Sequence, residues 1–191
     1  MRPKRDGRRA TMGRRPFVLV DRDGTLLEDA GYVHRIADYR PLPGAIEGLR
    51  WLQEAGFGLA VLTNQSGIGR GIFSEEDYQA FQAHFIQDLA AQEVQIEATY
   101  FCPHSPEAGC NCRKPATGLL ERAQRELDID LARSWVIGDK PEDLELARRA
   151  GCRAIYVLTG EGARRRHELD SKAITAADVL AAARLITQHS R

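Results

Sequence analysis

Apolar residues along this chain fall into short blocks separated by longer stretches of helical spacing. Phe17–Val20, Phe57–Leu62, Ala98–Phe101, Trp135–Ile137 and Ala154–Leu158 are short, mostly apolar runs, the pattern of strands covered on both faces. Between them, Ile46, Leu49, Trp51 and Leu52 follow Pro43-Gly44 and stop at Gly56, which predicts a helix. Tyr78, Phe81, Phe85 and Leu89 recur at helical intervals behind Ser74 and Asp77, a pair spaced as a capping box. Further helices are predicted from about Gly118 to Leu127 and near Pro141–Ala150. The tail is expected to hold one or two more, the last near Ala176–Ile186. Strand–helix alternation of this kind predicts an α/β fold, a doubly wound and mainly parallel Rossmann-like sheet with helices on both faces.

Ligands of such sheets lie beyond the carboxyl ends of the strands, and polar clusters sit there. Asp21-Arg22-Asp23-Gly24-Thr25 follows the first strand, Thr63-Asn64-Gln65-Ser66 the second and Gly138-Asp139 the fourth. In extended backbone residues two apart share a side, so Asp21 and Asp23 would crowd each other, and a divalent cation relieves that repulsion. Gly24 lets the chain leave the strand sharply, and the Thr25 hydroxyl can tie the turn. Asp21 and Asp139 are hard oxygen ligands suited to magnesium; Thr63 supplies a hydroxyl and Lys114 a point positive charge. Taken singly, each has a plain reading: Thr63 as a strand-end cap, Lys114 as a surface lysine, Asp139 as an N-cap before Pro141. Together they make a phosphoryl-transfer site, in which one carboxylate attacks phosphorus and another protonates the leaving oxygen.

Composition narrows the function classes. The chain has 191 residues, 43% hydrophobic and 28% charged, with 27 basic and 27 acidic residues. That suffices for one well-buried domain, and the zero net charge gives no global field toward nucleic acid or membrane. The balance is uneven: residues 1–11 carry five basic residues and one acidic, leaving 22 and 26 elsewhere, a net of −4. Residues 1–15 therefore read as a disordered basic leader, and residues 16–191 as a single domain. Met12 offers a compact alternative start. Arg14-Arg15 has the outline of a twin-arginine export signal, but the apolar run after it is cut off by Asp21-Arg22-Asp23. No run is long enough to span a bilayer.

Three of the four cysteines lie in one segment, Cys102-Pro103-His104 and Cys110-Asn111-Cys112, while Cys152 reads as a small core residue. Three thiolates and an imidazole make a closed tetrahedral set for structural zinc, with no position left for water. The loop over residues 102–112 is too short for a core of its own, and zinc would pin it so that Arg113 and Lys114 hold station over the phosphate. Clustered thiols of this kind point to a reducing compartment, so the cytoplasm is expected.

The order Asp21-x-Asp23-x-Thr25, Thr63, Lys114, Gly138-Asp139-x-x-x-Asp143 resembles the four motifs of the haloacid dehalogenase superfamily of phosphatases, over roughly Phe17 to Leu158. The resemblance implies the haloacid dehalogenase fold without a large cap domain. It makes Asp21 the nucleophile and Asp23 the general acid and then base. It gives magnesium to the Asp21 side chain, the Asp23 backbone carbonyl and the Asp139 side chain, and the phosphoryl group to Thr63 and Lys114. Asp143 is expected to orient metal-bound water or Lys114.

Asp29-Ala30-Gly31-Tyr32-Val33-His34, Thr63–Gly67, the cysteine loop, Arg113-Lys114-Pro115 and Gly138-Asp139-Lys140 together resemble, more narrowly, the D-glycero-D-manno-heptose 1,7-bisphosphate 7-phosphatases of ADP-heptose and lipopolysaccharide-core synthesis. Histidinol-phosphate phosphatases share most of the set and are the alternative. A nucleic-acid 3′-phosphatase with the leader as its arm ranks below both. The resemblance implies substrate contacts from Arg22, Asp29, Ala30, Gly31, Tyr32, Thr63, Asn64, Gln65, Ser66, Arg113, Lys114 and Lys140, with Arg70 a further candidate. The expected partner is a small phosphorylated sugar, with no nucleic acid, no membrane and a monomeric state. The chain departs from the family in Ala116-Thr117-Gly118, where relatives usually carry a second proline, and in Thr159-Gly160-Glu161-Gly162, which places an acid where a basic residue is common; the acid could weaken contact with a distal phosphate.

Overall fold

A computed structural model describes residues 13–189. Six strands form a single sheet in the order β3-β2-β1-β4-β5-β6, with every neighbouring pair parallel. The strands are β1 (Phe17–Val20), β2 (Gly58–Asn64), β3 (Ala98–Cys102), β4 (Trp135–Gly138), β5 (Arg153–Val157) and β6 (Thr175–Ala176). The helices are α1 (Ala45–Glu54), α2 (Ser66–Gly69), α3 (Glu75–Ala91), α4 (Gly118–Leu127), α5 (Pro141–Ala150), α6 (Gly162–Arg165) and α7 (Val179–His189).

The two-residue period of the strands builds two cores. Val18 and Val20 face one side with Leu49 and Leu52 of α1, Phe81 and Phe85 of α3 and Val179 of α7. Phe17 and Leu19 face the other with Leu119 and Leu120 of α4 and Leu146 of α5. All four β1 side chains are fully buried, which is why the strand reads as a continuous apolar run. The capping box expected at Ser74 is present: Asp77 N–H donates to the Ser74 side chain, and the Asp77 carboxylate accepts from Ser74 N–H.

The order reverses direction between β1 and β4, the switch point at which doubly wound sheets bind ligands. Around that edge, β2 runs two residues further than its apolar run, because Thr63 and Asn64 continue the ladder opposite Phe101 and Cys102. Short elements absent from the sequence pattern complete the frame: α2 and α6 of four residues each, and the two-residue β6 beside β5. The loops leaving the carboxyl edge, residues 28–43 and 103–117, hold only three-residue helical turns, so neither makes a cap domain.

Of the expected leader, residues 1–12 lie outside the described residues. Within its last three, Arg15 is already tied into the fold, with backbone bonds to Asp128 and Asp130 and an ion pair to Glu97. Among the described residues no helix is long and apolar enough to cross a membrane.

Candidate active site and metal-binding loop

Strand ends bring the expected residues to one edge. Asp21 follows β1, Thr63 is the penultimate residue of β2, and Asp139 follows β4. Asp21, Asp139 and Asp143 are all buried, and each offers a carboxylate oxygen within 4.8 Å of the others. Lys114 is buried beside them. Its Nζ lies 2.8 Å from Asp21 Oδ1 and 2.6 Å from Asp143 Oδ1, and it donates to the Leu62 carbonyl at 2.9 Å. An ammonium has three protons, so these partners fix it completely. Burial alone would lower the Lys114 pKa, but Asp143 and Asp21 raise it. The Lys114 backbone is clamped to Asn64 as well, giving N–H to Asn64 Oδ1 at 3.0 Å and accepting from Asn64 Nδ2 at 3.2 Å.

Asp143 sits at the start of α5, where its Oδ2 accepts from Lys140 N–H at 3.2 Å. Its other oxygen pairs with Lys114 Nζ at 2.6 Å, at the lining of the cleft. Asp139 accepts from Thr25 Oγ1 at 3.2 Å and from Glu161 N–H at 2.8 Å. Gly24, at φ +88°, passes so close that a Cβ there would meet Asp139 Oδ2 at 2.3 Å, so the turn after β1 admits no side chain.

Lys114 in direct contact, and Lys140 at longer range, face three buried carboxylates, and the crowding shows in their acidity. Burial first, then the charge of Asp21, pushes Asp139 up to about 7; burial pushes Asp143 up to about 6, against the pull of Lys114. Excess negative charge on closely set, hard oxygen donors fits a bound divalent cation. It also predicts a linkage. Raised carboxylate pKa values mean that the metal-free folded state holds protons the unfolded chain has released, so its stability falls as pH rises from about 4 to about 7. Metal-free protein should therefore melt lower at pH 8 than at pH 5, by on the order of a few kcal/mol in stability. Millimolar magnesium should raise the melting temperature more at pH 8. Calorimetry showing a flat or rising metal-free curve would refute the crowding.

Asp23 lines the cleft beside Asp21. Gln65 Nε2 donates to Asp23 Oδ2 at 2.7 Å and to Thr63 Oγ1 at 2.8 Å, which leaves the Thr63 hydroxyl proton free to donate elsewhere. The cleft encloses about 950 Å³. Asp29, Gly31 and Tyr32 line it from the 28–43 loop, Asn64, Gln65 and Ser66 from the end of β2, and Arg113 and Lys140 from the sides. Lys140 Nζ is 3.3 Å from Asp29 Oδ2, so the two walls touch.

Three expected contacts fall elsewhere. Ala30 lies in the same loop but outside the residues lining the cleft. Arg70 pairs with Glu107 at 3.5 Å, also outside the lining. Arg22 is fully buried and turned away from the cleft. Its guanidinium packs 4.8 Å from the Phe81 ring and donates to the Val33 carbonyl at 2.9 Å. Its Nε and Nη2 donate to the two Asp23 carboxylate oxygens at 2.9 and 3.0 Å. Conversely, Glu142, Arg149, Glu161, Arg164 and Arg165 line the cleft and were not singled out as contacts. Glu161, the acid at an expected basic position, has its carboxylate 3.4 Å from Arg164 and 3.8 Å from Arg165.

The cysteine loop closes on itself. Cys102 Sγ is 3.6 Å from both His104 Nδ1 and Cys110 Sγ; Cys112 Sγ is 3.3 Å from Cys102, 3.5 Å from Cys110 and 3.2 Å from His104 Nδ1. Four ligand atoms at such spacing can hold a metal ion. Gly69 of α2 packs against this loop so tightly that a Cβ would meet Ser105 N at 2.6 Å. Cys152 is apart from the cluster, partly buried against the second core, where burial pushes its thiol up to about 11.

Comparison with known proteins agrees with this geometry. Residues 111–183 match the family model described as HAD-hydrolase-like. The chain is 42% identical over 154 residues to the D-glycero-beta-D-manno-heptose-1,7-bisphosphate 7-phosphatase of Yersinia pestis, covering 76% of this chain and 82% of that protein. It is 45% identical over 142 residues to the enzyme of the same name from Photorhabdus laumondii, covering 71% and 76%. Among solved structures it superimposes on the D,D-heptose 1,7-bisphosphate phosphatase of B. bronchiseptica, complexed with magnesium and phosphate, with a TM-score of 0.86 at 31% identity, over 92% of this chain and 99% of that one.

Proposed function

The chain belongs to the heptose-1,7-bisphosphate 7-phosphatase family of haloacid dehalogenase-like hydrolases, and on that premise we propose that it removes the 7-phosphate of D-glycero-D-manno-heptose 1,7-bisphosphate. The observation that carries the reading is the Asp21–Lys114–Asp143 array beside Asp139 at the sheet's switch point.

The reaction divides into two displacements. An Asp21 oxygen forms a bond to phosphorus as the bond to the sugar oxygen breaks, and Asp23 gives that oxygen its proton. Water then attacks phosphorus, Asp23 takes the water's proton, and the Asp21–phosphorus bond breaks. Magnesium would be held by the Asp21 side chain, the Asp23 backbone carbonyl and the Asp139 side chain, and would supply positive charge against the phosphoryl oxygens. Lys114 and the free Thr63 hydroxyl proton act on the same oxygens. Asp29, Gly31, Tyr32, Asn64, Ser66, Arg113 and Lys140 surround the sugar and its second phosphate. The cation of the cysteine loop would be zinc in this reading: three sulfurs at about 2.3 Å and one nitrogen at about 2.0 Å, tetrahedrally placed, would stand about 3.5–3.8 Å apart, close to the 3.2–3.6 Å between these ligand atoms.

A turnover panel with magnesium tests the assignment, using both anomers of the heptose bisphosphate, histidinol phosphate and a DNA 3′-phosphate. The expected kcat/KM is highest on a heptose bisphosphate, by at least about 100-fold, since a second phosphate met by charged donors contributes roughly 1.5–3 kcal/mol per bond. Faster turnover of histidinol phosphate would replace the substrate while keeping the chemistry.

A further inference from the structure

We propose that Arg22 is a positioning residue which, with Gln65, leaves Asp23 a single proton-carrying site, on Oδ1. The proposal rests on the reading of Asp23 as proton carrier. A carboxylate has about four lone-pair sites. Arg22 Nε fills one on Asp23 Oδ1 at 2.9 Å; Arg22 Nη2 at 3.0 Å and Gln65 Nε2 at 2.7 Å fill both on Oδ2. The one left free belongs to Oδ1. Asp23 keeps 15% of its side chain exposed, while Arg22 keeps none.

Such burial is expensive for a guanidinium, whose desolvation is offset only by well-placed partners. Arg22 has them on every side. Nη1 donates to Gln82 Oε1 at 3.3 Å, Nη2 also reaches the Val33 carbonyl, and the rings of Phe81 and Tyr78 lie 4.8 and 5.4 Å away. An apolar residue could fill this space without that cost, so the arginine is kept for what it holds. Through Nη2 the same group ties the Asp29–Val33 wall of the cleft to the carboxyl that must meet the leaving oxygen. In the first displacement the Oδ1 proton passes to the sugar oxygen as its bond to phosphorus breaks. In the second, the same site receives the proton of the attacking water.

The test compares kcat/KM on an alkyl phosphate, whose leaving oxygen needs a proton, with kcat/KM on p-nitrophenyl phosphate, whose leaving group does not. With magnesium present this ratio reports only the first displacement, because release of the alcohol or phenol makes it irreversible. General acids contribute on the order of 10²–10⁴-fold. Arg22→Lys, which keeps the charge but not the fork, should lower the alkyl value at least tenfold more than the aryl value. Gln65→Leu, which removes the opposing donor, should shift the ratio the same way, and it serves if Arg22→Lys fails to fold. Equal losses on both substrates, or none, in the folded variants would overturn the positioning role while wild-type turnover leaves the phosphatase reading standing. A wild type inert toward both substrates and toward the heptose bisphosphate as well would sink that reading and this proposal with it.

Discussion

An Asp21→Asn protein is expected to lose turnover by roughly 10⁴–10⁶-fold, the loss seen when an attacking group is removed from an otherwise intact site. The amide keeps the shape of the side chain and has no oxygen basic enough to attack phosphorus. The same change should not unfold the protein. Asp21 contributes to the repulsion that raises Asp139, and Lys114 retains Asp143 at 2.6 Å and the Leu62 carbonyl. The metal-free variant should therefore melt at or above the wild-type temperature at pH 8, a site where function costs stability. Steady-state assays and calorimetry on the same sample separate the two effects. Residual turnover within about 100-fold of wild type would remove Asp21 from the nucleophile's role.

Loss of the loop cation should have the next largest effect, and it should fall on binding. Structural zinc sites contribute apparent free energies of roughly 10–16 kcal/mol in small peptides, and residues 103–117 hold only one three-residue helical turn of their own. Yet the two cations that follow the last ligand differ in their anchoring. Lys114 is held by Asn64 through both backbone groups and by Asp21 and Asp143 through its side chain. Arg113 lines the cleft without comparable ties. Stripping the loop cation while keeping magnesium, or making Cys112→Ser, should thus raise KM about tenfold or more, the worth of one charge-assisted contact. It should leave kcat within a few-fold and make the loop an early site of proteolysis. A collapse of kcat at saturating substrate, with the sheet intact, would contradict this division.

The catalytic edge was legible because its residues occupy places that strand geometry dictates. Asp21, Thr63 and Asp139 lie at the ends of parallel strands, and Cys102, His104, Cys110 and Cys112 carry their chemistry in their spacing. The direction of Arg22, expected among the substrate contacts, is not legible locally: it is set by Tyr78, Phe81 and Gln82 of α3, far along the chain. Arg164 and Arg165 lie on α6, whose four residues are too few to show a period; Arg149 lies on the predicted helix α5, but its place at the cleft depends on how that helix packs and not on its periodicity. Asn64 appeared as a substrate contact; its hold on the Lys114 backbone depends on a crossing of two loops that no local pattern records.

The most direct measurement is an acid-quenched reaction of Asp23→Asn protein with a phosphate-labelled aryl ester. The acidic leaving group lets the first displacement proceed, while the missing base stalls the second. One acid-stable, hydroxylamine-sensitive label per chain is expected on the peptide containing Asp21. An unlabelled protein that still releases phosphate, or label that persists when residue 21 is asparagine, would mean that no ester forms there.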